Sequence, residues 1–270
     1  MMKKTISTQF REFSYILLIH LAVVGCASNL KPADCSKLGE MVDYLPTHDR
    51  ICHRGFLVDH SPNFKTPAWV VEELTPQHIS RMAFPKRAFG WAFGTLSFEE
   101  DPALLPGRKS TLEDYRDVPF QRGHMVPAAD MAHDQDAMKQ TFYLSNIAPQ
   151  LQSFNTGIWV ELEKSVRQLA KGGRSLIVIT GPVFEEPLTR IGGNAVAVPT
   201  QFFKIVLDTN NSALTAFLVP HMEVNSNKSP SEFKTNLKHL ESRVGTVFFP
   251  SLGLQKYELP TISSDESPWN

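Results

Sequence analysis

Two stretches of this chain gather side chains that a packed core does not need. The first is Gln121-Arg122-Gly123-His124-Met125-Val126-Pro127-Ala128-Ala129-Asp130. The second is Thr141-Phe142-Tyr143-Leu144-Ser145-Asn146-Ile147-Ala148-Pro149-Gln150, followed by Asn155-Thr156-Gly157-Ile158-Trp159 and then Glu161-Leu162-Glu163. Imidazole, guanidinium, carboxamide and carboxylate groups together can move a proton, pair with an anion and offer oxygen to a cation. Singly, each has a plainer meaning. A lone His is most often a surface or satisfied core group, and an Asn ahead of a helix is most often its cap. What lifts the ensemble above those readings is its order and spacing.

Elements that must carry these residues are legible from periodicity. Residues 55–58 and 68–71 are β-rich runs around Ser61-Pro62-Asn63, a turn composition, and predict an antiparallel hairpin. Residues 99–121 hold Pro102, Pro106, Gly107 and Pro119 among charges and read as a long surface loop. A helix is predicted over 156–171, with Ile158, Trp159, Leu162, Val166 and Leu169 in phase, Asn155 as N-cap and Gly172-Gly173 as stop. Another is predicted over 231–244, with Phe233, Leu237, Leu240 and Val244 in phase and Gly245 at its end. Residues 175–183, 202–207 and 214–219 are β-branched and aromatic runs, expected to be strands of one sheet. The fold class is therefore α+β, with a largely antiparallel central sheet flanked by helices.

In their order, the motifs around His124, Asn146, Asn155 and Glu163 resemble the DNA/RNA non-specific endonuclease family, which includes secreted bacterial nucleases and mitochondrial endonuclease G. The similarity continues through Asp101-Pro102-Ala103-Leu104, Thr180-Gly181-Pro182-Val183-Phe184, Val198-Pro199-Thr200-Gln201-Phe202-Phe203-Lys204 and Gly245-Thr246-Val247-Phe248-Phe249-Pro250, spanning residues 51–252. It implies a ββα-metal fold that sets a strand-borne histidine against a helix-borne asparagine. By this resemblance His124 is the general base for an attacking water, its ordinary pKa near 6.5 suiting that task. Asn155 is the one direct protein ligand of a Mg2+ ion, with Mn2+ as a substitute, since such ions keep several waters. Glu163 follows Asn155 by a rotation of roughly 80° and a rise of about 12 Å along a helix; the family gives the matching Glu hydrogen bonds to metal-bound water. Arg122 pairs with phosphate oxygens, and Asn146 braces the site behind them. The implied activity is hydrolysis of phosphodiester bonds in both DNA and RNA, with phosphate contacts that read no base sequence.

This sequence departs from the family in two places. Gln121 stands where the family has Asp, and no basic residue lies just before Asp101-Pro102, Arg87 being the nearest upstream Arg. Trp159, Phe142 and Tyr143 sit in apolar patterns and are expected in the core rather than as base-stacking platforms. For Lys164, Arg167, Lys171 and Arg174, phosphate contact and plain helix-end solvation both stay open.

With 270 residues, the chain fits one globular domain or at most two. A net charge of −1 lends no support to polyanion binding, although a local basic cleft can coexist with it. Lys3, Lys4 and Arg11 precede an apolar run over 15–24, too short to span a bilayer, which reads as an export signal. Val23-Val24-Gly25-Cys26 followed by Ala27 resembles a bacterial lipobox, predicting lipidation of Cys26 and sorting to the outer membrane; an ordinary signal peptide with an incidental Cys is the alternative. The expected division is a leader over 1–25, a lipidated tether over 26–50, the nuclease domain over 51–255 and a tail over 256–270, its last eight residues frayed. Cys35 and Cys52 are expected to form a disulfide in an oxidising compartment, two free thiols being the other reading. Expected partners are DNA and RNA, the membrane by a lipid anchor only, and a second copy of the chain in a homodimer. Two rival readings remain: a catalytically weakened surface lipoprotein that binds nucleic acid without cutting, suggested by Gln121, and a structural or adhesive lipoprotein. Neither explains why His124 and Asn155 are both retained.

Overall fold

β-branched and aromatic runs, several of them buried on both faces, form the strands. In chain order these are β1 (Asp49–His53), β2 (Phe56–Ser61), β3 (Thr66–Leu74), β4 (Phe120–His124), β5 (Ile147–Leu151) and β6 (Leu176–Val183). They continue with β7 (Arg190–Ile191), β8 (Val196–Ala197), β9 (Gln201–Asp208), β10 (Ala213–Pro220) and β11 (Lys234–Thr235). Helices are α1 (Ser36–Gly39), α2 (Pro76–Ser80), α3 (Gln135–Gln140), α4 (Gln152–Phe154), α5 (Val160–Lys171) and α6 (Leu237–Val244). The computed structural model describes residues 34–43, 45–81, 96–223, 228–262 and 269. The leader, Cys26 and Arg87 lie outside the described residues.

One seven-stranded sheet runs β1-β2-β3-β6-β9-β10-β11, every neighbouring pair antiparallel. Strands β4 and β5 form a separate hairpin-like pair. Because side chains alternate across a sheet, Val70, Leu74, Val178, Phe202 and Val206 share one core with Trp159 and with Leu162, Val166 and Leu169 of α5. Trp69, Val71, Ile177, Ile179, Phe203 and Ile205 share the other with Leu38 of α1 and with Leu237 and Leu240 of α6. The expected α+β class, an antiparallel sheet flanked by helices, is what these residues build.

Both predicted helices start later than their periodicity suggests. The first is preceded by α4 and by a π-type turn over Asn155–Trp159, inside which Gly157 leaves helical geometry at φ −101°, ψ −118°. Asn155 itself is helical, at φ −60° and ψ −43°. It is therefore not the expected N-cap, and its side chain is committed elsewhere. The second prediction splits into a 3-10 turn over Pro230–Phe233, the edge strand β11, and α6. Asn236 Oδ1 accepts from the N–H groups of Lys238 at 2.8 Å and His239 at 3.3 Å, which fixes the start of α6. Gly245, at φ 72°, ends it as expected.

Folding reaches beyond both ends of the expected domain. Val42 bridges to Phe248, and a Cys35–Cys52 disulfide ties the start of α1 to β1. At the other end Trp269 is fully buried, 4.9 Å from the Phe217 ring. The frayed tail expected there does not extend to this residue.

Candidate active site

The hairpin-like pair β4–β5 carries the first motif. Gln121 pairs with Gln150, Gly123 with Ala148 and His124 with Ile147. The buried side chain of Gln150 lies across Gly123, and a Cβ there would come within 2.1 Å of Gln150 Oε1. That approach is why glycine separates the arginine from the histidine. Alternation along β4 then sends Arg122 and His124 to one face and Gln121 to the other.

Contacts follow this division. The exposed Arg122 places its guanidinium carbon 4.6 Å from the Phe98 ring centre. His124 lies 5.3 Å from the same ring and 4.9 Å from Phe142, edge to face. Phe142, expected in the core, instead walls the histidine. Burial pushes the His124 imidazole down to about 4, and among the described residues its enclosed Nε2 has no hydrogen-bond partner. The ring is therefore neutral at physiological pH, with a lone pair to accept a proton.

Asn155 donates through Nδ2 to Gln121 Oε1 at 2.8 Å. His124 and Asn155 are not hydrogen-bonded to one another; β4 is what relates them. Behind the motif, the buried Asn146 accepts from Val126 N–H at 2.9 Å and donates to the carbonyls of Val126 at 3.0 Å and Thr141 at 2.9 Å. Its amide thus clamps the turn that follows His124.

Glu163 stands half-buried on α5, above a polar stripe that crosses three strands. Burial pushes its carboxyl up to about 7, opposed by Lys204 and Arg167 and reinforced by Asp130. Beneath it the buried Lys204 donates to Thr180 Oγ1 at 2.6 Å and lies 5.1 Å from the Trp159 ring, with the buried Glu72 on neighbouring β3. Burial lowers Lys204 and raises Glu72 and Asp130, each carboxylate and the ammonium partly offsetting the other. Arg167, one turn beyond Glu163, donates to Asp130 at 2.7 Å and so ties the end of the first motif to α5. Of the other basic residues on and just after α5, Lys164 pairs with Glu161 at 2.7 Å and Arg174 with Asp208. The signal for Lys204 was present, a cation between Phe203 and Ile205 in an apolar run, whereas Glu72 beside Glu73 at the end of β3 gave none.

A second polar group combines a serine, a histidine and an aspartate, the residue types of a hydrolase triad. Ser145 donates to Asp101 Oδ2 at 2.5 Å, and His53 Nε2 lies 3.0 Å from the same oxygen and 3.3 Å from Ser145 Oγ. The same ring nitrogen meets both partners, so the histidine cannot relay a proton between them as in a serine hydrolase. All three side chains are buried. The group is a bracket that joins β1 to the loop before β4 and to the neighbour of Asn146.

Among the described residues no group of three or more His, Cys, Asp or Glu could hold a metal ion. An ion demanding four protein ligands, as structural zinc does, finds no set here. A hydrated Mg2+-type ion needs few protein oxygens. Asn155 Oδ1 receives no protein hydrogen bond among the described residues, and Glu163 lies further along the same helical segment, so this donor set fits.

A model of the DNA/RNA non-specific endonuclease family matches residues 39–254. The mitochondrial nuclease EXOG of Danio rerio is 32% identical over 226 residues, covering 78% of this chain and 63% of its own. The chain thus spans a little under two thirds of that relative. Mitochondrial endonuclease G of Bos taurus is 30% identical over 258 residues, covering 90% of this chain and 82% of its own. The crystal structure of an EndoG/EndoGI complex superposes with a TM-score of 0.72 at 27% identity, over 85% of this chain and 98% of that one. These mitochondrial relatives overturn the expected location at a bacterial outer membrane. In fold, in sequence and in the order of its motifs, the chain belongs to the DNA/RNA non-specific endonuclease family.

Proposed function

We propose that the chain hydrolyses phosphodiester bonds in DNA and RNA without base preference, with a Mg2+-type ion for which Mn2+ can substitute. The observation that carries this reading is the arrangement on β4: a neutral imidazole and an exposed guanidinium share the Phe98 ring, while Asn155 Oδ1 meets no protein donor among the described residues. Arg122 would grip non-bridging phosphate oxygens by charge-assisted hydrogen bonds. His124 would then take the proton of the attacking water. Held near 4 by burial alone, its pKa rises when a phosphate anion is brought beside it, which matches base strength to neutral pH. Asn155 Oδ1 would hold the ion, and Glu163 would accept hydrogen bonds from its waters; a nearby cation favours the ionised carboxylate that this requires. When bound, the ion supplies stabilisation of charge on the phosphate and the leaving oxygen. Asn146 and the Asp130–Arg167 pair keep the turn after His124 in place while this occurs. Contacts confined to phosphate explain the expected indifference to bases.

The test is cleavage of plasmid DNA and of RNA with Mg2+, with a chelator, and by His124→Ala. Cutting of both polymers that needs the metal and falls by about 10²-fold or more in the variant is the expected result. Undiminished cutting by folded His124→Ala would overturn the assignment of the base.

A further inference from the structure

We propose that Gln121 is the positioning residue that decides which end of the Asn155 carboxamide faces the cation; the inference rests on the reading of Asn155 as metal ligand. A carboxamide presents two ends of nearly equal size, and only the oxygen can ligate a cation, while the NH2 end carries donor hydrogens that repel it. Nothing in the backbone at Asn155 selects between them. The residue is helical, and its side chain is not spent on capping. Selection comes from the strand. Gln121 Oε1 accepts from Asn155 Nδ2 at 2.8 Å, which pins the NH2 end to β4 and turns Oδ1 away from it. The β4–β5 register, which pairs Gln121 with Gln150, fixes the backbone from which that side chain reaches Asn155.

Chemical identity of the acceptor matters as much as its place. A glutamine oxygen orients Asn155 without adding negative charge beside the ion. The cation therefore meets one charge fewer than a carboxylate at this position would supply, and its affinity in the absence of substrate is correspondingly low. Glutamate at 121 keeps reach and acceptor while adding that charge. Leucine keeps the approximate bulk and removes the acceptor.

Mn2+ binding to the whole chain without nucleic acid, followed by electron paramagnetic resonance, reads this directly. Thermal melts of each variant accompany it. Gln121→Leu is expected to weaken Mn2+ binding by about 10-fold or more, the scale for losing a partner that orients a ligand, and Gln121→Glu to bind at least as tightly as wild type. If Asn155→Ala abolishes binding and folded Gln121→Leu does not weaken it, the inference fails and the ligand assignment stands. Equal weakening by Leu and Glu also overturns it, because the loss would then come from packing. If Asn155→Ala binds Mn2+ like wild type, the ligand assignment itself falls, and the inference with it. Should Gln121→Leu not fold, Gln121→Glu decides alone: binding at least as tight as wild type supports the proposal, and weaker binding overturns it.

Discussion

A methyl group at position 123 would lie 2.1 Å from Gln150 Oε1, closer than any real contact, so Gly123→Ala must displace either the buried Gln150 or β4 itself. Overpacking of this kind costs about 1–3 kcal/mol, and denaturant unfolding measures it. Arg122 and His124 flank the displaced residue, so cleavage should fall by more than the loss of stability explains. A variant as stable and as active as wild type would show that Gln150 swings aside without consequence. Residue types and order singled out Arg122, His124, Asn146, Asn155 and Glu163 as candidates before any fold was known. Their partners were not. Gln121 looked like a departure of doubtful effect, and its contact with Asn155 crosses 34 positions that periodicity cannot connect. Phe142 was misplaced for a similar reason: an apolar pattern says that a ring is covered, not that the covering group is His124.

Between elements, the bracket of His53, Asp101 and Ser145 joins β1, the loop before β4 and the turn before β5. Burial pushes Asp101 up, but hydrogen bonds from His53, Ser145 and the Ala103 N–H together outweigh it, and its carboxyl is held below the usual range. A folded-state value below the unfolded one stabilises the protein above the unfolded pKa, about 3.9, and that contribution is lost as pH falls through the folded value. Denaturant melts between pH 7 and pH 3 should therefore show stability dropping at the acid end. Asp101→Asn should be less stable at neutral pH and lose less on acidification; parallel wild-type and variant curves would remove Asp101 from the acid response. At this scale the strands were legible from their β-branched runs, and α6 was misjudged because Phe233 continues the helical phase through residues that fold as a turn and an edge strand. Helical phase records which face is apolar. It does not record that Asn236 offers its side chain to the next backbone N–H groups and begins the helix there.

For the whole molecule, the least legible parts were its ends. Residues 26–50 read as a polar tether, yet α1 packs Leu38 into one of the two cores and the Cys35–Cys52 bond fastens it to β1. Residues 263–270 read as a frayed tail, yet Trp269 belongs to the same core as Phe217, Phe202 and Trp159. A single tryptophan among polar neighbours has no period to betray it; only the cavity that receives it does. Trp269→Ala removes a fully buried ring, and losses of that size cost about 3–5 kcal/mol. Equilibrium denaturation should show such a loss. Phe217, the ring it packs against, is not among the groups assigned to phosphodiester hydrolysis, so cleavage measured well below the lowered melting point should persist. A loss of under about 1 kcal/mol, the range of surface substitutions, would mean that the C-terminal tryptophan contributes nothing to holding the core closed.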